Sequence, residues 1–492
     1  MAVSVPIPKW LPPSLALWLR QRMAERPERK LTVATRFSKG ERAAMKRRRP
    51  VPISAWAEKH RVLEMSAIRG RWRNVFTPYL TGIMDVSGLP GVETVIICKS
   101  PQTGGSECGH NIVGYCIDRL PGPVMYVFPD ELTARENAKD RIIPMIEASP
   151  RLRQYMTGYG DDASSLRINL LHMPIYLGWS GSVSRLGNKP IRILILDELD
   201  KYKNPKNEAS SESLAEKRTT TWRTRRKVVK ISTPTTEDGP IWKALTEEAG
   251  ARFDFWVRCP HCGFFQHMDF ERIAWPGKDE EKSPDAETVL AKRLATYACE
   301  YCGTVWDDGD RDRAVRGGEW RERTSGLELM AHVAAHRPVK VGFHIPAWLS
   351  YFVSMSEVAH AWLKYKESGK LDDLKNFRNQ YAAEPWVEAD AGRRSRPRPV
   401  RKTPSSPCAT TARAGRFPAR WTEKSGYPSF WPRWTRSSTI SGTSSGPTAM
   451  AKPRRAGSWR PARRTTSRRW RKTCSVASTP TRTAGNTRSR QP

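Results

Sequence analysis

Apolar residues fall along this chain in several distinct textures. Four short, near-continuous apolar runs stand out: Glu93-Thr-Val-Ile-Ile-Cys98, Pro123-Val-Met-Tyr-Val-Phe128, Ile191-Arg-Ile-Leu-Ile-Leu196 and Lys227-Val-Val-Lys-Ile231. Runs rich in β-branched residues, without strict alternation, are strands buried on both faces. A helical pattern from Glu131 to Ala148 follows the second run. Strands separated by helices predict an α/β fold with a mostly parallel sheet covered on both sides. Further on, Trp362, Leu363, Tyr365, Leu371, Leu374 and Phe377 share one helix face, so a helical region is expected over about 355–380.

Different textures bound this core. Residues 1–50 are polar and basic, end in Lys46-Arg-Arg-Arg49-Pro50, and read as a flexible arm. Residues 250–310 carry two cysteine pairs and a charged insertion, Gly277 to Ala286. After Glu384-Pro-Trp386 the character changes abruptly. Ala391 to Pro492 contains no leucine, and Val400, Ile440 and Val476 are its only β-branched aliphatics, yet it holds five tryptophans. A packed core needs apolar side chains at a regular period, and this segment has none. It is expected to be disordered, and its onset at a domain boundary reads as the out-of-frame translation of the domain that should follow; the alternative is a native basic tail that binds a polyanion electrostatically.

Charge sharpens the division. The net charge of +34 points to a polyanion partner, but 25 Lys and Arg against Glu423 alone lie in 391–492, compared with 59 basic and 49 acidic residues before it. No apolar run approaches the roughly 20 residues a membrane span needs. Trp10 to Trp18 is broken by two prolines and lacks a small-residue cleavage signal, so a cytosolic protein is expected. Nine cysteines in that compartment would not form a disulfide framework. Cys98, Cys108 and Cys116 sit in apolar surroundings and read as small core residues.

The first apolar run leads directly into Lys99-Ser-Pro-Gln-Thr-Gly-Gly-Ser106-Glu107. Against the phosphate-loop pattern G-x-x-x-x-G-K-[ST], Gly104 and Ser106 occupy the sixth and eighth positions, Lys99 the first, and Gly105 replaces the usual lysine. Glycines let backbone N–H groups close on phosphate oxygens, and the following helix offers its positive end. Ser106 can ligate Mg²⁺, and Lys99 can reach the phosphates from the loop mouth. On its own the loop also fits an ordinary glycine-rich turn. The second constellation, Asp197-Glu198 at the end of an apolar strand, decides for ATP hydrolysis: one carboxylate orders Mg²⁺ and the next activates the attacking water. A third strand ends in Ser232-Thr233-Pro234, whose hydroxyls could sense the γ-phosphate. Cys259-Pro-His-Cys262 and Cys299-Glu-Tyr-Cys302, each followed by glycine, have the spacing of a four-thiolate zinc ribbon with a structural role. His261 and His267 read as surface histidines.

With the lysine-first loop, Asp197-Glu198, Ser232-Thr-Pro and the ribbon in this order, the chain resembles the lambda-like family of phage terminase large subunits over about residues 50–388. Gly70-Arg-Trp-Arg and Thr77-Pro-Tyr-Leu80 look like the family segment near the adenine. Gly318-Glu-Trp320, Gly342-Phe-His-Ile345 and Asn379 to Trp386 look like its region after the ribbon. The resemblance implies an ATP-driven motor of the host bacterial cytoplasm. In this picture it acts as a homo-oligomer with a small terminase subunit on a procapsid portal, moving double-stranded DNA, and carries a C-terminal metal-dependent nuclease. It assigns Lys99, Gln102, Thr103, Gly104, Gly105, Ser106 and Tyr79 to the nucleotide. Ser106 and Asp197 go to Mg²⁺, Glu198 to catalysis, Ser232 and Thr233 to coupling, and Cys259, Cys262, Cys299 and Cys302 to Zn²⁺. Some relatives carry an arginine inside the loop. Here Gln102 stands there, so any arginine finger comes from elsewhere or from a neighbouring subunit.

The plan is therefore a basic arm (1–50), a P-loop, RecA-like ATPase domain (51–248), a zinc ribbon (249–310), a helical region leading to the nuclease position (311–390) and a basic low-complexity tail (391–492). A helicase-type ATPase shares the loop and acid pair, but needs a second RecA-like lobe, and no second strand–helix series is visible after 310. A non-enzymatic zinc-ribbon DNA-binding protein leaves the loop and acid pair to coincidence.

Overall fold

A computed structural model describes residues 11–25, 38, 51–64, 66–206, 208–278 and 285–387, without the side chains of Met23, Ala24, Glu25 and Asp161. Within the expected arm, Pro13–Glu25 is a helix. The rest of the arm, most of the charged insertion and the leucine-free tail lie outside the described residues.

Besides the short pair Val62–Leu63 and Gly70–Arg71, the strands are β1 (Thr94–Lys99), β2 (Val124–Phe128), β3 (Ala163–Ser164), β4 (Arg167–Asn169), β5 (Pro174–Trp179), β6 (Ile193–Asp197), β7 (Lys227–Ser232), β8 (Ala251–Arg258), β9 (Phe265–His267), β10 (Ile273–Ala274), β11 (Thr296–Ala298), β12 (Val305–Trp306), β13 (Glu319–Glu322) and β14 (Lys340–Ile345). One 11-stranded sheet runs β9-β8-β14-β1-β7-β6-β2-β5-β4-β3, with β13 paired to β8. Pairing is parallel from β8 to β5. It is antiparallel at both edges. The fold is α/β with a mostly parallel sheet, as the apolar runs require.

Alternation explains why those runs are apolar throughout. Val95 and Ile97 of β1 join Ile193, Ile195, Val229 and Ile231 in the large core on one face. Ile96 and Cys98 pack on the other face with Ile241 and Leu245. Every residue of β1, β2, β6 and β7 is buried. Helix α1 (Ile53–His60), α2 (Pro78–Ser87) and α3 (Gly105–Arg119) fill the first face through Trp56, Leu80, Ile83, Cys108, Ile112 and Cys116. Cys98, Cys108 and Cys116 are buried, as expected of core cysteines.

Two regions differ from the reading of the sequence. β8 lies in the segment expected to form the ribbon, and β14 in the segment expected to be helical, yet both hydrogen-bond into the central sheet. β13 and β14 follow residue 310, but extend this sheet and build no second lobe. The helical region over 355–380 is two helices, α5 (Met355–Ser368) and α6 (Leu371–Asn376), the latter continuing as a wider turn over Phe377–Ala382. The break is Gly369 at φ +64°, a left-handed cap that β-carbon sterics reserve largely for glycine.

Candidate active site

Strand order sets the site. β7 lies between β1 and β6, so the ends of all three strands, Lys99, Ser232 and Asp197, come to one edge of the sheet. The loop after β1 turns through Gln102 at φ +57° and Gly104 at φ +78° into the N-terminus of α3. The close approach at Gly105 is decisive: a Cβ there would collide with the Lys99 side chain, which lies across the loop. Glycine therefore stands where phosphate loops usually carry lysine, and the Lys99 side chain from the strand end fills that space. Burial lowers the Lys99 pKa, opposed by the Asp197 and Glu198 carboxylates.

Beneath the loop the backbone is held from several sides. Tyr79 Oη donates to the Thr103 carbonyl at 3.0 Å, Thr103 Oγ1 to the Ser100 carbonyl at 2.7 Å, and Ser350 Oγ to the Gln102 carbonyl at 2.9 Å. Tyr79 is 0 % exposed and its own carbonyl accepts from Trp320 Nε1. This corrects the expectation that Tyr79 contacts nucleotide: it braces the loop from the core side. Thr103 is equally buried, with its hydroxyl turned into the loop.

A cleft of about 830 Å³ opens above the loop, lined by Lys99, Gln102, Gly104, Gly105, Ser106, Asp197 and Glu198. One wall is the 63–77 segment, with Arg69, Arg71, Arg73 and Phe76, which contains the Gly70-Arg-Trp-Arg stretch that the resemblance put near the adenine. Sequence reasoning missed the other wall, helix α4 (Glu131–Asn137) and the turn after it, with Glu136, Asp140 and Arg141. No short motif marks that second wall, since it joins the cleft only through the fold. On the floor, Asp197 is 2 % exposed and accepts from Tyr126 Oη at 3.0 Å. Burial and the Asp197 charge push the Tyr126 pKa well up, so the phenol stays a donor. Glu198 has φ +54° and ψ +44° and its half-exposed carboxylate pairs with Lys201 at 2.8 Å. A non-glycine residue in this region costs about 1–3 kcal/mol and clusters at working sites.

Glu107, next to Ser106, also lines the cleft. Burial would raise its pKa, but His110, Arg61 and Arg141 more than offset this and hold it at about 2. Arg61 Nη2 donates to Glu107 at 2.8 Å. Ser232 and Thr233 do not line the cleft: Ser232 is buried, donates to the Thr233 carbonyl and accepts from the Asp200 N–H, both at 3.1 Å.

Away from the cleft, the sulfurs of Cys259, Cys262, Cys299 and Cys302 all lie within 4.8 Å of one another. Cys259–Cys302 is 3.9 Å and Cys262–Cys299 is 3.8 Å. Tetrahedral zinc with bonds of about 2.3 Å holds its sulfurs about 3.8 Å apart, so this donor set fits a closed four-thiolate ion. His261 pairs with Asp310 and His267 with Asp269, apart from the cluster.

Residues 66–320, just over half of the chain, match the model of the phage terminase large subunit gpA ATPase domain. Residues 340–411 match that of the terminase large subunit gpA endonuclease domain. The large terminase subunit of Enterobacteria phage P21 is 25% identical over 359 residues, covering 69% of this chain and 54% of that one. That of Escherichia phage lambda is 25% identical over 375 residues, with 70% and 54% covered. The chain thus spans about half the length of these curated relatives. Among solved structures, the Thermus phage P74-26 large terminase ATPase domain aligns at 12% identity and TM-score 0.32, covering 60% of this chain and 88% of that one. The HK97 bacteriophage large terminase aligns at 12% and 0.33, covering 39% and 40%. With the ATPase-domain model matched over just over half of its length, the chain belongs to the gpA family of phage terminase large subunits.

Proposed function

We propose that the chain is the ATPase motor part of a terminase, binding ATP·Mg²⁺ in the cleft and using its hydrolysis to move double-stranded DNA. The observation that carries this reading is the convergence of Lys99, Gly105, Ser106, Asp197 and Glu198 on one cleft through a strand order no single motif dictates. Backbone N–H groups of 104–106 and the α3 N-terminus face the β- and γ-phosphates, with Lys99 laid across them. Ser106 and Asp197 would hold Mg²⁺, which when bound neutralises phosphate charge. Glu198, released from Lys201, accepts the proton of the attacking water. Gln102 supplies no positive charge, so the cleft arginines or a neighbouring subunit provide it. The fold is that of a P-loop, RecA-like ATPase, and Cys259, Cys262, Cys299 and Cys302 form a structural zinc ribbon beside it. A small terminase subunit, a portal and further copies of the chain complete the machine, in the cytoplasm of a bacterial host.

The test is ATP turnover by purified protein with and without duplex DNA. Turnover stimulated by DNA supports the motor. Absence of any turnover leaves a zinc-ribbon DNA-binding protein as the better reading.

A further inference from the structure

Two residues after Glu198, a carboxylate outside the cleft is saturated with donors from another loop. Asp200 Oδ2 accepts from the Thr235 N–H at 2.8 Å and Thr235 Oγ1 at 3.0 Å, and Oδ1 accepts from the Ile241 N–H at 2.8 Å. Its own N–H donates to Ser232 Oγ. A side chain at Gly239 would strike this carboxylate, so the 235–241 loop is wrapped around it.

That loop in turn holds the last described segment of the chain. The Trp386 N–H donates to the Thr235 carbonyl at 2.9 Å, and Thr236 and Trp386 form a parallel bridge. The same segment is fastened to the strand that leads into the 99–106 loop. Ser100 Oγ donates to the Tyr381 carbonyl at 2.9 Å, and the Ala383 carbonyl faces Cys98 Sγ at 3.6 Å and His344 Nε2 at 3.0 Å. Ala383 has φ +54° and is 0 % exposed. A left-handed alanine persists only where its surroundings over-determine it. The path from Glu198 to the 377–387 segment therefore has a left-handed non-glycine residue at each end and Asp200 at its centre.

We propose that Asp200 is a positioning residue that transmits the state of Glu198 to the 377–387 segment, and so to whatever follows it. The proposal rests on reading the cleft as an ATP site. Glu198 opens a single tight turn, Leu199–Lys201, with Leu199 packed in the core. When Glu198 leaves Lys201 to meet nucleotide, the turn has no slack toward the core. The shift passes through Asp200 to Thr235, and from the Thr235 carbonyl to Trp386.

Hydrogen exchange read by mass spectrometry tests this on the full chain with Mg²⁺ and a non-hydrolysable ATP analogue, binding being measured in the same samples. In the wild type, the analogue is expected to change exchange at the Trp386 amide at least ~3-fold. Asp200→Asn is expected to bind the analogue within ~2-fold of wild type while exchange at Trp386 no longer responds to it. A wild type that binds the analogue without any change at Trp386, or an Asp200→Asn protein that keeps the full response, overturns the proposal. Absence of analogue binding to the wild type instead removes the ATP-site reading, and the proposal with it. Should Asp200→Asn fail to fold, Thr235→Val removes one of the three donors and is expected to reduce the response. An undiminished response there also overturns the proposal.

Discussion

At single positions, the sequence was most legible where a motif fixes the spacing of residues that the fold then brings together. Lys99, Ser106, Asp197 and Glu198 line one cleft as their spacing implied, and Gly105 is small because Lys99 lies over it. Tyr79 was misjudged because sequence shows proximity to a motif but not the side from which a side chain meets it. Glu107 and Asp200 were invisible for a related reason: their partners come from segments 46 and 35 residues away. Glu107 yields a pH prediction. Its folded pKa, about 2, lies below the ordinary 4.5, so the stability it contributes is fully present above about pH 4.5 and lost as the pH falls toward 2. The contribution is on the order of 3 kcal/mol. Denaturant unfolding of wild type and Glu107→Gln should show a gap at pH 6 that closes toward pH 3, and a pH-independent gap would count against the ion pair.

At the scale of elements, strands were legible where both faces are buried, because period and composition then agree. β8 and β14 were not, since their alternating or mixed residues resemble edge or loop sequence; β8 is buried only at every second position over Ala251–Val257. Pairing with β1 makes β14 central, and that is a tertiary fact. The cysteine pairs were fully legible as pairs, and the fold brings them together although a charged insertion separates them. One zinc per chain is expected in freshly purified protein. Cys299→Ser should lower thermal stability of the 250–310 region more than it affects ATP turnover, because a closed thiolate site contributes folding free energy. Metal analysis finding no zinc would remove the ribbon from the account.

For the whole molecule, the family matches and the fold divide the chain differently. The endonuclease-domain match begins at residue 340, yet Lys340–Ile345 is a central strand between β1 and β8. The first strand of that match therefore belongs to the ATPase sheet. The match then runs to residue 411, into the leucine-free stretch from 391 whose single acid is Glu423. A two-metal nuclease needs several carboxylates, more than the single acid of this stretch. We attribute it to a shifted reading frame: translating the gene in the other two frames past codon 390 should reveal apolar strands ending in aspartates, and the purified chain should not cut DNA with Mg²⁺ or Mn²⁺. Cleavage by this chain, or no such strands in either frame, would end that explanation. The motor reading stands apart from the tail and meets its most direct test in Glu198→Gln. With ATP binding and steady-state turnover measured on wild type and variant in the presence of duplex DNA, the variant should bind ATP as the wild type does and hydrolyse it at least ~100-fold more slowly. Equal turnover by the two proteins would contradict the assignment of the site.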